Sequence, residues 1–124
     1  MSRHKRWIVL TVAVLAVAFS IAIWRIWFPG NAFDPIAWQD EIQVKAGLRL
    51  GMADRLIARG TFQGKTRAEV VQLLGEPPPT DYFHNWDLVY WLGPERGFMS
   101  IDSEWLVFRF AADGRCSEYR IVRD

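Results

Sequence analysis

Between Trp7 and Trp24 the chain reads WIVLTVAVLAVAFSIAIW, 18 residues without a charge, and few folds can absorb such a run. As an α-helix it spans roughly 27 Å, close to the hydrocarbon thickness of a bilayer. Its only polar side chains are the hydroxyls of Thr11 and Ser20, which a helix satisfies on the carbonyl one turn earlier. Trp7 at one end and Trp24 and Trp27 at the other stand where indole rings favour the headgroup level, because the ring is apolar and its N–H wants a partner. The run therefore predicts a transmembrane anchor over residues 7–28, with Arg6, Trp7, Trp24, Arg25 and Trp27 as its membrane-interface residues. Two other readings compete. Ala16-Val17-Ala18 has the small-x-small form of a signal-peptide cleavage site, although apolar sequence continues beyond it and the run exceeds the roughly 7 to 15 residues of a signal h-region. A buried core helix would carry a polar face, and none is visible.

Orientation follows from the flanks. Arg3, Lys5 and Arg6 precede the span, whereas only Arg25 follows closely before Asp34, Asp40 and Glu41, so the N-terminus is expected in the cytoplasm. The chain divides accordingly into a cytoplasmic N-terminus (1–6), the anchor (7–28), a linker (29–33) and an extracytoplasmic domain (34–124). For a bacterium this means the inner membrane, with the C-terminal domain periplasmic or extracellular.

The remaining residues suffice for one core and not two. From Gly30 onward 11 basic residues face 14 acidic ones, a net of −3, and the whole chain carries only +1; nucleic acid is excluded as a partner, since phosphate neutralisation needs a basic excess. A single cysteine, Cys116, rules out an internal disulfide framework and a multi-cysteine metal site. No cofactor is called for.

Local signals then place the elements. Phe28-Pro29-Gly30-Asn31 stops the first helix. Asp34-Pro35 has N-cap and first-turn character, predicting a helix to about Lys45 with Trp38 and Ile42 on one face. Leu48, Met52, Leu56 and Ile57 recur at helical spacing up to Arg59, and Gly60 can end that helix. Thr66-Arg67-Ala68-Glu69 is a capping box that starts a short helix with Val70, Leu73 and Leu74 as its buried stripe; Gly75 and the prolines from Pro77 to Pro79 terminate it. The period then changes to alternation. Trp86–Leu92, Glu104–Phe110 and Arg115–Val122 read as strands, with Asp113-Gly114 as the positive-φ pair of a tight hairpin. Helices before strands imply an α+β domain: two or three helices on one face of a three-stranded antiparallel sheet.

The run GKTRAEVVQLLGEP from Gly64 to Pro77, the strand around Trp86–Tyr90 and LVFRFAADG from Leu106 to Gly114 resemble the SmpA/OmlA family of BamE-type small outer-membrane lipoproteins, and are similar to the repeat unit of β-lactamase inhibitor proteins. The likeness covers roughly residues 48–122. It implies a non-enzymatic envelope module that acts by contacting other proteins and, in the lipoprotein family, assists outer-membrane protein assembly. The chain departs from that family in lacking a lipobox cysteine near its N-terminus, and its stretch LGPERGFMSIDSEW from Leu92 to Trp105 looks more like uncharacterised bacterial proteins.

The sheet carries the candidate site. Leu88, Tyr90, Leu92, Leu106, Phe108 and Phe110 point to the helices, which sends Val89, Trp91, Trp105 and Val107 to the opposite face, where a three-stranded sheet ordinarily meets water. Either these four residues form a surface for an envelope protein partner, a second copy or lipid, or they are covered from within by the segment holding Phe33 and Trp38 or the loop holding Phe98 and Met99. Three further motifs carry weaker chemistry. Gly60–Thr66 imitates a phosphate loop but has three residues between its glycines instead of four and follows a helix. Asp102 and Glu104 would share a strand face as an acid/base pair near Arg96 and His84, the basis of an enzyme using the Arg96–Trp105 loop. Cys116 could pair with a second chain in an oxidising compartment. The leading expectation is a non-catalytic membrane-anchored binding or assembly module, with the small enzyme and a structural spacer as alternatives.

Overall fold

The computed structural model describes every residue except Met1, Phe28, Pro29, Phe98 and Ser100, and the chain without the side chains of Arg25, Ile26 and Trp27. Most of the expected helix stop, the cover weighed for Phe98 and the interface side chains of Arg25 and Trp27 thus lie outside the described residues.

Helix α1 runs Arg3–Trp27. Its apolar side chains are exposed throughout, from Trp7 to Trp24, so it is not a core helix; by length and composition it can cross a membrane, as an anchor or as a signal sequence. The hydroxyls of Thr11 and Ser20 each donate to the carbonyl four residues back, at 2.9 Å on Trp7 and 2.9 Å on Ala16, so both are satisfied within the helix.

Four short helices follow: α2 (Pro35–Gln39), α3 (Glu41–Lys45), α4 (Leu48–Ala58) and α5 (Arg67–Leu74). The single helix expected from Pro35 to Lys45 is broken at Asp40, whose extended backbone ends α2 while its carboxylate accepts from the N–H groups of Ile42 and Gln43 to start α3. An internal Asx cap competes with helix continuation and wins here. The break turns Ile42 outward, 79% exposed, and Val44 is the residue of α3 that is buried. The capping box at α5 forms as expected, with Thr66 and Glu69 bonded reciprocally.

Strands β1 (Leu88–Pro94), β2 (Ser103–Phe110) and β3 (Cys116–Arg123) form one antiparallel sheet in the order β1-β2-β3, and the class is α+β. Its helix-facing side holds the main core: Leu88, Tyr90, Leu92, Leu106 and Phe108 against Trp38, Met52, Leu56, Val70 and Leu74. Phe62 fills the centre, fully buried, its ring 4.9 Å from Phe108 and 5.6 Å from Tyr119. The last hairpin differs in detail from expectation: only Gly114 has positive φ, and the Gly114 N–H donates to the Ala111 carbonyl at 2.9 Å. A turn closed by left-handed glycine, with a register shift beside Phe110, replaces the tight two-residue turn.

Candidate functional site

The four residues expected on the outer sheet face are there, and the protein covers them itself. Val107 is fully buried, Trp105 is 8% and Val89 9% exposed; Trp91 is half-buried. Among the described residues the cover is not the Phe33–Trp38 segment, which packs in the opposite core, nor Met99, which is exposed. It is instead the loop before β1. Tyr82 stacks on Trp105 at 5.1 Å and Phe83 meets the same ring at 6.0 Å. Phe83 is the one non-glycine residue with positive φ among those described, a strained conformation for a bulky side chain that tight packing maintains. Trp86, expected in the strand, precedes it and joins the outer cluster. Arg109 and Arg120 place their guanidiniums 3.9 and 5.1 Å from its ring centroid. The aromatic sequence DYFHNW from Asp81 to Trp86 was the signal available for this cover, since a solvated turn rarely holds three large rings.

The Arg96–Trp105 loop gathers charges differently from the expected acid/base pair. Asp102 lies before β2 and is exposed, whereas Glu104 is 2% exposed and faces the helices. Glu104 accepts from the backbone N–H of Arg96 at 3.0 Å and from its guanidinium at 3.1 Å; Arg123 stands 3.5 Å away and Arg96 also reaches Asp54 at 2.6 Å. Burial alone would push the Glu104 carboxyl up, yet the hydrogen bonds and charge of Arg96 outweigh it and hold Glu104 below the usual range. Burial raises Asp54 despite Arg96. His84 is exposed elsewhere, on a depression with Arg67, Glu76 and Trp86. Both Glu104 oxygens are thus held by the fold, and Arg96 bridges Glu104 of β2 to Asp54 of α4, which pins the loop to that helix.

The glycine-bounded stretch from Gly60 serves the fold as well. Its Phe62 is a core residue, the Lys65 carbonyl accepts from the Cys116 N–H at 2.7 Å, and the Gly64 carbonyl accepts from Arg115 at 2.9 Å. Cys116 is 4% exposed, and burial pushes its thiol up. Among the described residues no group of three His, Cys, Asp or Glu is placed to hold a metal.

A cleft of about 360 Å³ opens between Trp38 and Glu41 of α2 and α3, Pro77 and Pro78, and Tyr90 and Trp91 of β1. Sequence reasoning missed it, because its walls come from segments roughly forty residues apart. Arg49 crosses its floor, donating to the Trp38 carbonyl at 2.7 Å and the Trp91 carbonyl at 2.9 Å; burial lowers its pKa against the pull of Glu41, and among the described residues it has no ion-pair partner. The Tyr90 hydroxyl donates to the Gly75 carbonyl at 2.7 Å, and burial raises its pKa strongly. Strand β1 is one of the two sheet edges, covered at Trp91 by Arg49 and at Gly93 by the Val44 carbonyl, which a Cβ on Gly93 would meet at 2.6 Å.

Comparison with family models, with curated protein sequences and with solved structures finds no match for this chain.

Proposed function

We propose that the protein is a non-catalytic, single-pass membrane module of a bacterial envelope that binds or helps assemble another protein. Its N-terminus lies in the cytoplasm and its C-terminal domain in the periplasm or outside the cell. The observation that carries this reading is α1: a 25-residue helix whose apolar side chains from Trp7 to Trp24 are all exposed calls for a lipid environment, because water would not stabilise so long an apolar surface. The basic flank of Arg3, Lys5 and Arg6 supports the orientation. The resemblance to BamE-type proteins is part of the same proposal, supported by α5 with its capping box leading into an antiparallel sheet whose last hairpin turns at Asp113-Gly114.

The protein partner engages the cleft beside Trp91 rather than the outer sheet face, where Phe83 and Trp86 pack and Tyr82 stacks on Trp105. Its two prolines and Trp91 offer rigid apolar surface, and Glu41, Lys45 and Glu76 supply a charged rim. No observation favours the enzyme reading, because the carboxylate best placed for it, Glu104, is buried and saturated by Arg96.

Three measurements test this reading. The intact mass of the membrane fraction is expected to include residues 1–18; a product starting near Phe19 ends the anchor. A reporter fused after Asp124 is expected outside the cytosol, and a cytosolic signal refutes the orientation. A photo-crosslinker at Pro78 is expected to give one protein adduct of fixed mass in native membranes that a crosslinker at exposed Ser117 does not; the same pattern from both positions refutes the cleft.

A further inference from the structure

Trp24, the last residue of the uncharged run, does not stand free at the end of the span. Its ring centroid lies 6.0 Å from the guanidinium carbon of Arg55, in the last turn of α4, and 5.9 Å from that of Arg59, the residue that caps the C-terminus of that helix. The chain between span and domain is also held close. The Asn31 N–H donates to the Gly51 carbonyl of α4 at 3.1 Å. A Cβ on Gly30 would meet that carbonyl oxygen at 2.0 Å, and one on Gly51 would meet the Asn31 amide at 2.7 Å. Further on, Phe33 packs on Trp38 at 5.9 Å and the Asp34 N–H reaches the Met52 sulfur at 3.3 Å. The described part of the segment expected as a linker, from Gly30 to Phe33, is therefore laid along α4 and its neighbours.

We propose that Arg55 and Arg59 lie at the level of the lipid phosphates and bind the headgroups of anionic phospholipids in the leaflet where α1 ends. The inference rests on the anchor reading above. A tryptophan ending a span sits at the boundary between acyl chains and headgroups, so two guanidiniums within about 6 Å of its ring occupy the phosphate layer. Guanidinium and phosphate match in charge and in paired hydrogen-bond geometry. Among the described residues Arg55 forms no ion pair with a carboxylate. The remainder of the domain is net acidic and would be repelled by an anionic surface, so this spot decides which face rests on the bilayer.

The test uses the full-length chain reconstituted in vesicles of phosphatidylcholine with a minority of phosphatidylglycerol, released gently and weighed with its retained lipids by native mass spectrometry. Phosphatidylglycerol adducts are expected to exceed their share in the vesicle, roughly fivefold for each arginine, and the excess is expected to fall when salt is raised before release. R55Q/R59Q should lose the excess and R55K/R59K should keep most of it. A wild-type chain that retains the two lipids in their vesicle ratio overturns the proposal whether or not either variant folds, as does an R55Q/R59Q chain with the wild-type excess. Resistance of the wild-type chain to alkaline carbonate extraction is read separately: an extractable chain refutes the anchor itself, whereas a resistant chain without lipid preference refutes only the headgroup site.

Discussion

Trp105→Ala distinguishes a self-covered sheet face from a partner surface. Trp105 is 8% exposed, touches the rings of Tyr82 and Phe83 at 5.1 and 6.0 Å, and donates its indole N–H to Asp124 at 3.0 Å. Truncating a buried tryptophan to alanine costs about 3–5 kcal/mol. The covering loop can settle partly into the space, which favours the lower end, about 3 kcal/mol. For a domain of this size each kcal/mol moves the melting temperature by roughly 4–8 °C, so a loss of about 12–24 °C is expected. Near-ultraviolet circular dichroism of the full chain in detergent, followed on heating, reads the change directly. Trp105→Phe is the control: it keeps a stacked ring, losing part of the ring volume and the bond to Asp124, whose carboxylate is exposed and regains water, so its cost is expected at about 1–2 kcal/mol, below that of alanine. A Trp105→Ala protein melting within about 4 °C of wild type would refute the packing argument, since a shift that small is what an exposed contact residue gives.

Further expectations concern the charged loop, the sheet edge and the thiol. Glu104 has a folded pKa below its unfolded value, so its contribution is present at neutral pH and is lost as pH falls through the folded value; Asp54, shifted upward, works in the opposite sense and offsets part of that loss. Glu104→Gln should cost about 1–3 kcal/mol at neutral pH, because Arg96 and Arg123 are half-exposed and recover water. Denaturant titrations at neutral pH and about pH 3 should show a smaller acid loss in the variant, and an undiminished loss would remove Glu104 as its source. Gly93→Ala, at φ 116° with the Val44 carbonyl 2.6 Å from the new Cβ, should destabilise by more than 2 kcal/mol, on the order of a strained core substitution; an unchanged melting curve contradicts the close approach of α3 to the sheet edge. Cys116, buried and with its thiol shifted upward, should resist maleimide in the native protein and react on unfolding, and rapid native labelling would show that β3 opens.

What could be read from residues alone was local or strictly periodic. The 18-residue uncharged run, the Thr66–Glu69 capping box and the alternation in β2 each report interactions between a residue and neighbours one turn or one step away, so the α+β class and the sheet's two faces were legible before any packing was known. Boundaries failed where two local preferences competed: Asp40 could continue a helix or cap one, and in the folded chain it caps α3, with Trp38 buried on α2 and Val44 buried on α3. The site was less legible still. That Val89, Trp105 and Val107 needed cover followed from the two-residue period of a strand, but which loop returned to supply it depended on how Phe83 and Trp86 pack across the sheet. The cleft under Arg49 and the seat of Trp24 against Arg55 and Arg59 join segments roughly thirty to forty residues apart. Hydrogen-bond period and turn chemistry carry no information over such separations; tertiary packing alone brings those side chains together.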